Sequence, residues 1–242
     1  FSFSSAYAQL DPVTISFGGG VAIATLADKN LDEISGMVTS RTLPGLIYVH
    51  NDSGGEAAVY LLDSLGNNVG KIEFNNTKNR DWEDIAVGPG ADGKSYIYVG
   101  EIGDNNAVHD EVVIYRTPEP DKLSAISSII PQKITLKYPG GARDAESLMI
   151  DPISADIFII SKRDSVNTLY RLDADKFGAG EAELEELMKL PFTSAVAADI
   201  SVDGSQILVK NYFSIFYWTR TTGESIEQAM RRAPVQLPYS PE

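Results

Sequence analysis

Carboxylates recur in this sequence at a spacing longer than any secondary-structure period. Asp81-Trp-Glu-Asp84 places three acids in four residues, directly before the apolar alternation Ile85-Ala-Val87. Asp144-Ala-Glu146 stands in the same way before Leu148-Met-Ile150, and Asp32-Glu33 stands before Ile34. Glu33, Glu83 and Glu146 are 50 and 63 residues apart. Acids brought to one place repel by about 1 kcal/mol per close pair in water, and by more as the site dries. A hard cation offsets that repulsion, and carboxylate or amide oxygens are what calcium accepts. Zinc would want nitrogen or sulfur, and the chain has no cysteine and only 2 histidines, His50 and His109.

The elements that must position these acids are short strands. Each acidic entry is followed by a compact hydrophobic run, in Ile47-Tyr-Val49, Tyr96-Ile-Tyr-Val99 and Ile157-Phe-Ile-Ile160. A degenerate fourth copy begins near Val196 and continues through Ile207-Leu-Val209. Amphipathic runs complete each unit: Ala57–Asp63 with Val69–Phe74, Glu111–Arg116 with Lys133–Tyr138, Thr168–Leu172 with Leu184–Leu190, and Ile215–Trp218. Four strands per repeat of about 50 residues predicts an all-β propeller of four-stranded antiparallel blades. We expect five or six blades, the last incomplete or closed by N-terminal strands at Val13–Phe17 and Val21–Leu26. The wider spacing is assigned to an enlarged loop around Asp121–Pro131. A helix is expected only over Ser225–Arg232, since helical periodicity is otherwise scarce.

In a propeller, the segment entering the first strand of each blade shares a face with the turn leaving the second. The entries Glu33, Asp81, Glu83, Asp84, Asp144 and Glu146 should therefore converge with the exits His50, Asn51, Asp52, Glu101, Asp104, Asn105, Lys162, Arg163, Asp164, Lys210 and Asn211. Asp81 and Asp144 also suit turn capping, because aspartate bonds its own backbone before a tight strand entry. Trp82 is expected between adjacent blades.

Composition limits the partners. A formal net charge of −14 repels phosphate backbones, so nucleic acid is not expected. No run approaches the roughly 18 apolar residues of a membrane span. Residues 1–9 read as a signal-peptide remnant ending in Ala6-Tyr-Ala8, which predicts a secreted or periplasmic location and leaves residues 10–242 as a single propeller domain.

These motifs carry a resemblance. Glu33-Ile-Ser-Gly-Met-Val38, His50-Asn-Asp-Ser-Gly-Gly55, Asp81-Trp-Glu-Asp-Ile-Ala-Val-Gly-Pro89, Gly100-Glu-Ile-Gly-Asp-Asn105 and Asp144-Ala-Glu-Ser-Leu-Met-Ile-Asp-Pro152 resemble a family of secreted bacterial β-propellers. That family is similar to the esterase-like phytase propellers, and more distantly to the gluconolactonase and regucalcin propellers. The resemblance implies an axial calcium held by Glu83 and Glu146 at the entries and by Asn51, Asp52, Asp104 and Asn105 at the exits. The remaining entries and exits Glu33, His50, Glu101, Lys162, Arg163 and Asn211 are expected, from the shared face of entries and exits, to meet a ligand at the mouth. The sequence departs from the family pattern at Ala197-Ala198, where a fourth acid would stand.

Two functions fit. One is a calcium-binding module for a small molecule or an extracellular protein. The other is a calcium-dependent hydrolase of an ester, lactone or phosphate, with Glu101 or His50 as base. No G-x-S-x-G elbow, phosphate-cradling loop or H-E-x-x-H pair is present. The fold does not choose between them.

Overall fold

Alternating apolar runs separated by Gly, Asn and Asp turns fold into four twisted sheets. The structure is a computed structural model and describes residues 17–239. Blade 1 holds β1 (Ile34–Thr39), β2 (Ile47–Asn51), β3 (Ala58–Leu62) and β4 (Asn68–Phe74). Blade 2 holds β5 (Trp82–Pro89), β6 (Ser95–Glu101) and β7 (Val112–Pro118). The chain then forms β8 (Ile126–Ile129) before closing blade 2 with β9 (Gln132–Lys137). Blade 3 holds β10 (Ala145–Ile150), β11 (Ile157–Ser161) and β12 (Thr168–Leu172), followed by β13 (Glu181–Glu183) and the outer β14 (Glu185–Lys189). Blade 4 holds β15 (Ala195–Ile200), β16 (Gln206–Asn211) and β17 (Ile215–Thr219), then helix α1 (Ile226–Met230) and β18 (Val235–Leu237).

Among the described residues there are four blades, not five or six. The extra length between Glu83 and Glu146 is not wholly loop. Its strand β8 leaves blade 2 and pairs in parallel with β4 of blade 1. In blade 3 the corresponding connection supplies β13, which pairs in parallel with β9 of blade 2. Each connection thus caps the outer edge of the preceding blade, satisfying backbone groups that a bare edge would expose. In blade 4 the same connection carries α1, started by a Ser225–Gln228 capping box, and its Ile226, Ala229 and Met230 enter the core shared with Met149 and Phe158 of blade 3. The helix is shorter than the expected Ser225–Arg232.

Apolar side chains fill the space between successive sheets. Trp82 is wholly buried between blades 1 and 2, edge-on to Phe74, with Val38, Tyr48, Ile85 and Val99 around it. Tyr98, Ile114, Leu148 and Tyr170 join blades 2 and 3. Hydrophobic burial of this kind is the main force aligning the blades. The first strands β1, β5, β10 and β15 pack in that order around the axis. The candidate closing strand Val21–Leu26 has no strand structure; instead Leu26 and Leu31 pack with Val49, Ala58, Tyr60 and Leu62 on the face of blade 1 turned away from blade 2. Residues 13–16 of the other candidate, and the signal-peptide remnant, lie outside the described residues. No described helix is long and apolar enough to cross a membrane.

Candidate metal centre at the propeller mouth

The four blades share one irregularity. In each, the register between first and second strands slips once, at Ile34/Gly36, Trp82/Asp84, Ala145/Ser147 and Ala195/Ala197. A bulge re-aims the extra residue and bends the strand. The bulged residues are Ser35, Glu83, Glu146 and Val196, so only blades 2 and 3 carry an acid there. This corrects the alignment of Glu33 with Glu83 and Glu146. Glu33 is exposed and corresponds to Asp144, one residue before the ladder: Asp52 N–H donates to the Glu33 carbonyl (2.8 Å) as Lys162 N–H does to the Asp144 carbonyl (2.9 Å).

The bulges and entries bring carboxylates into two groups that share Glu83. One is Asp52, Asp81 and Glu83; the other is Glu83, Asp144 and Glu146; within each, one oxygen per residue lies within 4.8 Å of the others. Glu83 is only 4% exposed. Burial and the charges of Glu146, Asp52, Asp81 and Asp144 push its carboxyl up to about 9. Burial, with Asp52 and Asp144, raises Asp81 as well. Burial also raises Glu146, against the pull of Lys162.

The groups differ in their counter-charges. In the second, the Lys162 ammonium donates to Glu146 Oε1. Arg163 Nε lies 2.7 Å from Asp144 Oδ2, in an ion pair without hydrogen-bond alignment. Asp104 N–H donates to Asp144 Oδ1 (2.9 Å). In the first group no Lys or Arg forms an ion pair with Asp52, Asp81 or Glu83 among the described residues; Arg80 turns instead to Glu101, at 3.8 Å. The Ser35 hydroxyl donates to the Glu83 carbonyl (3.0 Å) and approaches Oε2 at 3.5 Å.

Neighbouring residues shape the first group. Asn79 is a buried clamp: its amide donates to the carbonyls of Asn51 (3.1 Å) and Asp52 (2.6 Å), and its Oδ1 accepts from Trp82 N–H (3.0 Å). The Asp52 loop is thereby fixed against the blade 2 entry. Gly103 faces Glu83 Oε1 and Asp81 Oδ2 so closely that any Cβ would collide with both. The adjacent Asp84 is fully buried and accepts backbone N–H bonds from Ile85 (2.9 Å), Leu148 (2.8 Å) and Ala198 (3.4 Å), tying blades 2, 3 and 4 at the axis.

Of the expected carboxylate ligands, Asp52, Glu83 and Glu146 enter the groups and Asp104 does not. Asn51 donates to the Asn30 carbonyl (2.6 Å). Asp104 caps its own loop by accepting from His109 N–H (2.7 Å). Asn105 accepts from Arg163. Of the expected ligand-facing residues, Lys162 and Arg163 lie beside the second group. His50 is entirely buried, with Nδ1 2.9 Å from the Asn51 carbonyl and its ring edge-on to Trp82; burial lowers it to about 4 and holds it neutral. Glu101 is buried under Arg80, and burial raises it. Asn211 caps a turn, accepting from Phe213 and Ser214 N–H (2.9 and 2.7 Å).

Asp81 and Asp144 are full members of the groups, a role that turn capping obscured. Asn79 and Gly103 carried no signal beyond their place beside the acidic motifs.

No family model and no curated protein matches the chain in sequence. Among solved structures, the chain is similar to one in the crystal structure of a nidogen/laminin complex (12% identity, TM-score 0.49), covering 85% of this chain and 64% of that one. It is also similar to a "putative phosphatase" from Bacteroides thetaiotaomicron VPI-5482 (14% identity, TM-score 0.55), covering 84% of this chain and 45% of that one. The chain thus spans less than two thirds of either. At 14% identity the likeness to the second concerns the fold alone.

Proposed function

We propose that this protein is a secreted or periplasmic binding module whose propeller mouth is held in shape by a calcium ion bound at Asp52, Asp81 and Glu83. One observation carries the reading: Glu83 is buried against four other carboxylates with no basic side chain paired to it. A cation relieves that repulsion, and an all-oxygen donor set suits calcium. Magnesium, which resists dehydration, suits a crowded group of carboxylates less well. The resemblance to the phytase-like propellers supports the same reading.

The second carboxylate group is supplied with charge from within, by Lys162 and Arg163. These two residues favour a second reading, in which the mouth is a calcium-dependent hydrolase and they receive the anionic part of an ester, lactone or phosphate. When bound, the ion would polarise the substrate's oxygen; Lys162 and Arg163 would orient it. The name of the Bacteroides neighbour points the same way.

Thermal unfolding with calcium, magnesium or chelator tests the shared core of both readings. Calcium should raise the melting temperature by mass action on the folded state, and magnesium should do much less. Identical curves in calcium and chelator would remove the cation. Turnover of ester, lactone and phosphate substrates then separates module from hydrolase.

A further inference from the structure

Among the described residues, the ring is packed at three of its junctions and more open at the fourth, where Leu26 and Leu31 cover part of blade 1 and Phe17 lies edge-on to Tyr217 of blade 4. Met37 pairs with Val49, as Ile85, Leu148 and Ala198 pair with Val99, Ile159 and Val209 in the other blades. Those three equivalents are buried, whereas Met37 is 65% exposed. Leu208 corresponds in the same way to Tyr48, Tyr98 and Phe158, all buried, yet it is 39% exposed. Between them, blades 1 and 4 border an open wedge of about 510 Å³, lined also by Asp84 and Glu146 of blades 2 and 3. Its apolar walls include Met37, Val196, Leu208 and Ile215, with Tyr212 and Lys210 towards the mouth.

Size and charge narrow the occupant. A cavity of 510 Å³ lies in the range of small-molecule sites, about 300–1,000 Å³, and is far too small for a further blade. Of the wedge's acids, Glu146 is paired with Lys162 and Asp84 is turned onto three backbone N–H groups. Asp199, opposite Leu208 and further from the mouth, accepts from Ile200 N–H (2.8 Å), and burial raises its carboxyl against the pull of Arg41. Lys210 forms no ion pair among the described residues; its ammonium lies 5.2 Å from the centre of the Tyr239 ring. The wedge therefore presents one unmatched cation above an apolar slot.

We propose that the wedge between blades 1 and 4 binds an amphipathic carboxylate of the fatty-acid class, its tail against Met37, Leu208, Val196 and Ile215 and its carboxylate at Lys210. The site does not require the calcium of the mouth. Burying a tail favours longer chains by about fourfold per methylene until the slot is full.

The test is calorimetric titration of the full chain with octanoate, decanoate and dodecanoate in chelator, below their micelle concentrations, with the matching alcohols as controls. Affinity should rise with chain length, and the carboxylates should bind at least about tenfold more tightly than the alcohols. Lys210→Met should erase that preference while keeping the length dependence. Leu208→Trp and Met37→Trp should each fill the slot and abolish binding, with unchanged circular dichroism showing that the blades still form. Absence of length dependence, or equal binding of acid and alcohol by the wild type, would overturn the proposal. So would a sedimenting dimer that binds no carboxylate and dissociates on Met37→Asp, which would give the wedge to a second copy of the chain.

Discussion

Glu83 and Glu146 occupy the same bulge on adjacent blades, yet only Glu146 has a cation, Lys162, on its carboxylate. Equivalent backbone positions thus hold one neutralised and one uncompensated acid. Replacing each with glutamine should separate them. Glu83→Gln should raise calcium-free stability by on the order of 1 kcal/mol at pH 7, because it removes an acid that the fold holds only by keeping a proton the unfolded chain releases. It should also lower calcium affinity by about tenfold or more, or about 1.4 kcal/mol. Glu146→Gln should destabilise the calcium-free protein, since it strands the buried ammonium of Lys162. Chemical denaturation in chelator and calcium titration of both variants check this, and equal behaviour of the two would refute the asymmetry.

The same residue sets a pH dependence. The Glu83 carboxyl is raised from 4.5 to about 9 in the fold, so the folded state holds a proton that the unfolded chain releases. Below about 4.5 both states are protonated and the residue has no effect. From there to about 9, each rise in pH favours the unfolded, ionised form, so this contribution weakens the fold steadily and then levels off. In chelator, wild type minus Glu83→Gln stability should therefore become more negative between pH 5.5 and pH 8.5. A difference that stays flat, or grows more positive, would contradict the burial of an uncompensated acid.

Gly103 is the place where the site's packing is most sensitive. Gly103→Ala puts a methyl group against Glu83 Oε1 and Asp81 Oδ2, and the oxygens must give way. We expect weakened calcium binding together with an overpacking loss of about 1–3 kcal/mol, read from calorimetry and melting. Wild-type affinity in this variant would show that these two oxygens need not stay where the fold puts them.

Away from the mouth, Arg220 and Asp151 form a buried two-pronged ion pair (2.7 and 3.0 Å) joining blades 3 and 4. Asp151 also accepts from Ile153 N–H and Ser154 Oγ, each at 3.0 Å. Arg220→Met should strand that carboxylate and destabilise by about 3–5 kcal/mol without changing calcium affinity. A loss below about 1 kcal/mol, as for an exposed pair, would argue that the pair is wetter than its surroundings imply.

Much of the blade plan could be read from residue order. Apolar runs such as Tyr96–Val99 and Ile157–Ile160 become buried second strands, because a strand packed on both faces leaves no polar position to confuse its length. Trp82 falls between blades as its place before Ile85 implies. The blade count was not legible in the same way. β8 and β13 are strands of four and three residues that pair with a neighbouring blade in parallel, and nothing local distinguishes them from loop.

The recurrence of acids at strand entries belongs to the sequence, and it alone determined that carboxylates would gather at one mouth, since identical blades place identical positions on one axis. The tertiary structure decided which acids correspond. A bulge adds one residue to one strand without adding it to the partner, so Glu33 takes the place before the ladder while Ser35 takes the place of Glu83. It also decided the charge balance, because Lys162 and Arg163 reach Glu146 and Asp144 only after the β11–β12 turn folds over the mouth. Electrostatic partnership depends on distance through space, and for residues 16 and 19 apart along the chain only packing sets that distance.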